Sequence, residues 1–66
     1  LIQLNLAHAY LLNGNYKSAK TIHKTYFNQN VTDSLSWTQK TKLDFDAFQK
    51  AGIQNEDFDA VLKILE

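Results

Sequence analysis

Residues 5–19, NLAHAYLLNGNYKSA, decide the fold because they hold the end of one helix, a turn and the start of another. Gly14 can adopt the left-handed conformation that ends a helix, and Asn15 can cap the helix that follows. Apolar residues recur at helical spacing over 1–12, and residues 16–27 are amphipathic. We therefore predict a helical hairpin over about residues 1–29.

A second helical hairpin is predicted over about residues 37–65. Residues 30–36 are polar, and we expect them to form a loop between the two hairpins. Ser36 and Gln39 have the spacing of a capping box at the start of the third helix. Gly52 should end that helix, and Asn55 should cap the fourth. The sequence thus predicts an all-α fold of two antiparallel helical hairpins within a single domain of residues 1–66.

The composition limits the classes of function. The 66 residues include no cysteine, which excludes disulfides and thiolate metal sites. Residues 1–32 carry three lysines and no acid, whereas residues 33–66 carry four lysines and seven acids. A general nucleic-acid binder is normally basic and uses arginine, which is absent, so we do not expect nucleic acid as the main partner. The charge split instead predicts weak attraction between the two halves or between copies of the chain.

The sequence gives little information about compartment. It contains no apolar run of 18 residues and no charged stretch followed by an apolar core, so we expect neither a membrane span nor a signal peptide. We favour a cytoplasmic protein on this basis. Because the chain starts at Leu1 and contains no methionine, we also expect it to be a segment of a longer protein.

The first hairpin resembles the tetratricopeptide repeat. That family has asparagine-leucine-glycine, tyrosine, glycine-aspartate-tyrosine and alanine in this order and spacing. The matching residues here are Asn5-Leu6-Ala7, Tyr10, Gly14-Asn15-Tyr16 and Ala19. The resemblance covers residues 1–31 and implies a fragment of an α-solenoid. The second hairpin is degenerate, because its turn is longer and it lacks the glycine-tyrosine pair.

The resemblance also implies a function, which is non-catalytic binding of a partner peptide or protein domain. Members of the family bind along the first helix of each hairpin, and the corresponding positions here are Leu1, Leu4, His8, Leu11 and Leu12. An alternative explains the same pattern without a ligand. In that alternative, Leu4, His8 and Leu11 pack against the third helix or against a further repeat.

Two other functions remain open from the sequence. The segment could be a structural cap that closes a larger repeat or multidomain protein and binds nothing. A basic face on the second helix could instead hold an anionic ligand or nucleic acid weakly, through Lys17, Lys20 and Lys24. Self-association through the helix edges is a further possibility for the isolated segment.

The sequence shows no pattern of residues that predicts catalysis. His8 and His23 have no carboxylate three or four residues away, so we expect no metal site. The pairs of aspartates at 44 and 46 and at 57 and 59 are two residues apart, and on a helix such residues face different directions. The chain also lacks a glycine-rich phosphate loop, a nucleophile elbow and a serine–histidine–aspartate set. We therefore expect no enzyme activity and no cofactor.

Overall fold

The computed structural model describes residues 2–66, which form four helices and one small sheet. The elements in chain order are α1 (Ile2–Leu12), α2 (Tyr16–Tyr26), β1 (Asn30–Thr32), β2 (Leu35–Ser36), α3 (Trp37–Lys50) and α4 (Phe58–Leu65). The prediction of a mainly helical chain with four helices is confirmed.

The prediction of an all-α chain is corrected by the segment between α2 and α3. Residues 30–36, which we expected to be a loop, contain an antiparallel ladder in which Asn30 is opposite Ser36 and Thr32 is opposite Leu35. The backbone N–H of Ser34 donates to Oγ1 of Thr32 over 3.3 Å, which helps to close the turn. Strands of two and three residues are too short to produce a recognisable alternation of polar and apolar residues.

Both glycines end a helix in the left-handed conformation, as the sequence predicts. Gly14 has φ +82° and Gly52 has φ +85°. After α1, the N–H of Asn15 donates to the carbonyl of Tyr10 over 2.8 Å. After α3, the N–H of Ile53 donates to the carbonyl of Phe48 over the same distance. These bonds are typical of the Schellman motif, and they satisfy carbonyls that the helix leaves unpaired.

The helix starts agree with the sequence at two positions and differ at the third. Asn15 accepts from the N–H of Ser18, and Ser36 and Gln39 form the complete capping box. Asn55, predicted to cap α4, lies three residues before that helix begins. Its Oδ1 accepts from the N–H of Asp57, while its Nδ2 donates to the carbonyl of Leu11 at the end of α1. Asn55 therefore ties the turn before α4 to the first hairpin.

One hydrophobic core joins all four helices. The three-residue turn after α1 brings α1 and α2 into extensive contact, and α4 packs against both α2 and α3. Phe45 of α3 and Phe58 of α4 are stacked with their ring centroids 4.3 Å apart. The buried apolar residues of this core are Leu4, Ala7, Leu11, Ala19, Trp37, Phe45, Phe58, Val61 and Leu65.

Candidate functional site

The structure places most of the predicted groove residues inside the protein. Leu4 and Leu11 are fully buried, and His8 is 5% exposed. Leu12 is 40% exposed, and Leu1 lies outside the described residues. The expectation that Leu4, His8 and Leu11 line an open groove is thus corrected. Helical spacing showed that these three residues share a face, but it could not show that other helices cover that face.

The opposite side of α1 is exposed and carries apolar residues, with the exposed polar residues Gln3 and Asn5 beside them. Ile2 is 82% exposed and Leu6 is 39% exposed, and Ala9, three residues further on, is exposed as well. We call Ile2, Leu6 and Ala9 the outer face of α1. Leu12 lies to one side of it. The signal for this surface is present in the sequence, because α1 contains no charged residue on any side. An amphipathic helix at a protein surface would normally carry charges there.

Two histidines occupy the junction of α1, α2 and α3. Nε2 of His8 lies 2.9 Å from Oδ2 of Asp44 on α3, and Asp44 also forms an ion pair with Lys40 one turn earlier. His23 of α2 is fully buried, and its Nδ1 accepts a hydrogen bond of 2.9 Å from the indole Nε1–H of Trp37. The two imidazole centroids are 6.2 Å apart. The sequence did not predict this pairing.

The hydrogen bonds indicate which nitrogen of each histidine carries the proton. Because Nδ1 of His23 is an acceptor, a neutral His23 carries its proton on Nε2. His8 donates from Nε2 to the Asp44 carboxylate, so its Nδ1 is unprotonated in the neutral ring. The remaining nitrogens, Nδ1 of His8 and Nε2 of His23, are buried and have no hydrogen-bond partner among residues 2–66.

Burial controls the acidity of both imidazoles. Desolvation lowers the pKa of His8, although the hydrogen bond from His8 to Asp44 and the charge of Asp44 oppose this effect. Desolvation, together with a smaller effect of the nearby His8 in the same direction, lowers the pKa of His23 to about 4. Both rings are therefore neutral at pH 7.

The predicted basic face lies on the outer side of α2. Lys17 and Lys24 are exposed, and Lys20 is half-buried, with its Nζ 6.0 Å from the ring centroid of Tyr16. Within residues 2–66, none of these three lysines forms an ion pair with a carboxylate. The ion pairs that the structure does contain are all made to Asp44 and Asp46 of α3.

The described residues contain few features of a small-molecule site. In residues 2–66, no three histidine, cysteine, aspartate or glutamate side chains come together in a way that could hold a metal ion. The same part of the chain encloses no pocket. None of its helices has the length and apolarity that crossing a membrane requires.

Comparison with known proteins adds no relative to this description. No family model, no curated protein and no solved structure matches the chain.

Proposed function

We propose that this chain is a non-catalytic protein-interaction module of the tetratricopeptide type, and that its partner docks on the outer face of α1. The first hairpin supports the repeat assignment. Ala7 and Ala19, two of the small residues that carry the resemblance, are fully buried, and Gly14 is in the turn that joins the helices. Small side chains at such positions let two helices approach closely.

The observation that carries the proposal is the apolar character of α1 on both sides. Leu4 and Leu11 belong to the core, while Ile2 and Leu6 are exposed on the opposite side. The exposed polar residues Gln3 and Asn5 lie between these two sides, but α1 carries no charged residue. A helix with apolar residues on two sides normally has both sides covered. The outer face of α1 is therefore suited to contact with another protein surface.

The apolar outer face of α1 and the lysines of the first hairpin indicate what kind of surface the partner should present. The docking surface is apolar, so the partner should present an apolar face, and the side of an amphipathic helix is the simplest match. Every charged side chain in residues 2–32 is a lysine. Complementary charge steers association, so acidic residues should flank the apolar face of the partner helix.

A matched pair of variants tests this surface. Leu6 on the outer face of α1 is 39% exposed and Leu43 on α3 is 57% exposed, so Leu6→Glu and Leu43→Glu each remove an exposed leucine and add one negative charge. Affinity capture from source cells should recover a partner with the wild type and with Leu43→Glu, but not with Leu6→Glu. Circular dichroism should show that all three proteins have the same helical content. Equal capture by both variants would overturn the proposal.

The same exposed face also supports the capping alternative. In a repeat array, each hairpin buries its outer faces against the neighbouring hairpins. If the outer face of α1 is covered by another part of a longer chain, then Leu6→Glu should lower the stability of that longer protein and leave its partners unchanged. Thermal unfolding of the longer protein, with and without Leu6→Glu, separates the two functions.

A further inference from the structure

The buried histidines connect the first hairpin to α3 through two separate polar contacts. His8 joins α1 to α3 through Asp44, and His23 joins α2 to α3 through Trp37. Both histidines are at most 5% exposed. The attachment of α3 to α1 and α2 therefore includes two groups that can gain a positive charge within the range in which histidine titrates.

Protonation would disrupt the contact made by His23 directly. The proton would have to bind Nδ1, which is the atom that accepts the indole N–H of Trp37. Two donors would then face each other, and a positive charge would lie in the core without a hydrogen-bond acceptor on Nε2. A buried charge or donor without a partner strongly disfavours the folded state.

Protonation of His8 would be opposed for a similar reason. The proton would bind Nδ1, which is buried and has no partner among residues 2–66. Asp44 would stabilise the charged ring, while Lys40 on the same helix and a protonated His23 would repel it. No other compensation comes from α4, which contributes the apolar residues Phe58, Val61 and Leu65 to the core and keeps Asp59 and Lys63 exposed.

We infer that His8 and His23 form an acid-sensitive latch: their hydrogen bonds to α3 stabilise the folded chain while both rings are neutral, and protonation of the rings unfolds it. This inference does not depend on the proposed function, because it rests on contacts inside the core.

The direction of the pH dependence follows from the lowered pKa values. The pKa of His23 is about 4 in the folded chain and 6.5 for the free side chain, so the unfolded state binds the proton more readily. Titration of His23 therefore has no effect on the folding equilibrium above about pH 6.5. It destabilises the folded state as the pH falls from 6.5 towards 4. The folding equilibrium constant should decrease by about 10-fold per pH unit in this window, or about 300-fold in total for His23 alone. The lowered pKa of His8 adds an effect of the same sign.

Trp37 provides a built-in reporter for the test because it is the only tryptophan. We would titrate the wild type from pH 8 to pH 4, following Trp37 fluorescence, far-ultraviolet circular dichroism and the histidine C2–H signals in NMR spectra. The comparison is the double variant His8→Gln/His23→Gln. Glutamine can donate to Asp44 and accept from Trp37 without titrating. The variant should move the midpoint of the acid transition down by about one pH unit or more.

A control variant separates the histidines from ordinary carboxylates. Asp46 is exposed and pairs with Lys50, so Asp46→Asn should leave the acid midpoint unchanged. The inference is overturned if the wild type and the double variant have the same midpoint. If the double variant is unfolded at pH 7, the wild-type NMR titration decides alone. Histidine protonation that coincides with loss of the folded signals supports the latch, and protonation near pH 6.5 with the folded signals retained overturns it.

Discussion

Trp37 donates its indole N–H to Nδ1 of His23. The two rings meet edge to face, with their centroids 5.8 Å apart and an interplanar angle of 80°. Trp37 is the first residue of α3, and His23 lies near the end of α2. Tyr26 stacks on the same indole at 5.4 Å. Both partners of this hydrogen bond are buried, so each ring provides the hydrogen-bond partner that the polar atom of the other ring needs in the core.

Removing the acceptor should therefore destabilise the chain. His23→Leu leaves the buried indole N–H of Trp37 unsatisfied, which costs about 1–3 kcal/mol of unfolding free energy. His23→Gln retains an acceptor and should cost less. Urea denaturation measures both values. If the hydrogen bond is unimportant, the two variants will be equally stable.

The two sides of α1 should respond very differently to truncation. Leu4 is fully buried, so Leu4→Ala should cost about 2–5 kcal/mol. Ile2 is 82% exposed, so Ile2→Ala should change stability by no more than about 0.5 kcal/mol. Thermal unfolding checks the pair, and similar costs at the two positions would show that α1 is rotated relative to this structure.

Asn55 should be sensitive to a change of a single atom. Asn55→Asp retains the oxygen that accepts from Asp57 but loses the Nδ2 donor to the carbonyl of Leu11. It also places a negative charge beside the carbonyl end of α1, which the helix dipole disfavours. We expect a loss of about 1–2 kcal/mol in denaturant unfolding. Gln54→Glu adds the same charge at an exposed neighbour, and it should be nearly neutral.

The stability cost of a substitution at Gly14 should depend only on how readily the new residue adopts a positive φ. A Cβ atom at this position would meet no atom within 4 Å, but its φ of +82° is unfavourable for residues with a side chain. Gly14→Ala should therefore cost about 1–2 kcal/mol. Gly14→Asn should cost less, because asparagine enters this conformation more readily. A larger loss for asparagine than for alanine would mean that steric contact, and not backbone strain, limits the position.

Most of the helical architecture could be predicted from local signals. Gly14, Gly52 and the Ser36–Gln39 capping box act through neighbouring backbone groups, so their spacing in the sequence was sufficient. The small sheet could not be predicted in this way, because its strands are two and three residues long. The role of Asn55 was also missed, since its second partner, Leu11, is 44 residues away.

The candidate site was harder to predict because it depends on which side of α1 is covered. The spacing of Leu4, His8 and Leu11 identifies a shared face, but the residues that cover it come from distant parts of the chain. Phe45 and Phe48, whose ring centroids lie within 5.5 Å of the centroid of His8, belong to α3. Asp44 lies 36 residues from His8. The absence of charged residues from α1 was the one local sign that its exposed side also carries apolar residues.

Site-specific photo-crosslinking in source cells tests the central claim most directly. A photoreactive phenylalanine analogue would replace Leu6 on the outer face of α1 in one protein and Leu43 on α3 in a matched control. Mass spectrometry would then identify each adduct. The proposed function predicts a discrete protein adduct from position 6, attached at an apolar position of a helix with acidic flanks, and none from position 43. Adducts of equal yield from both positions, or none from position 6, would contradict it.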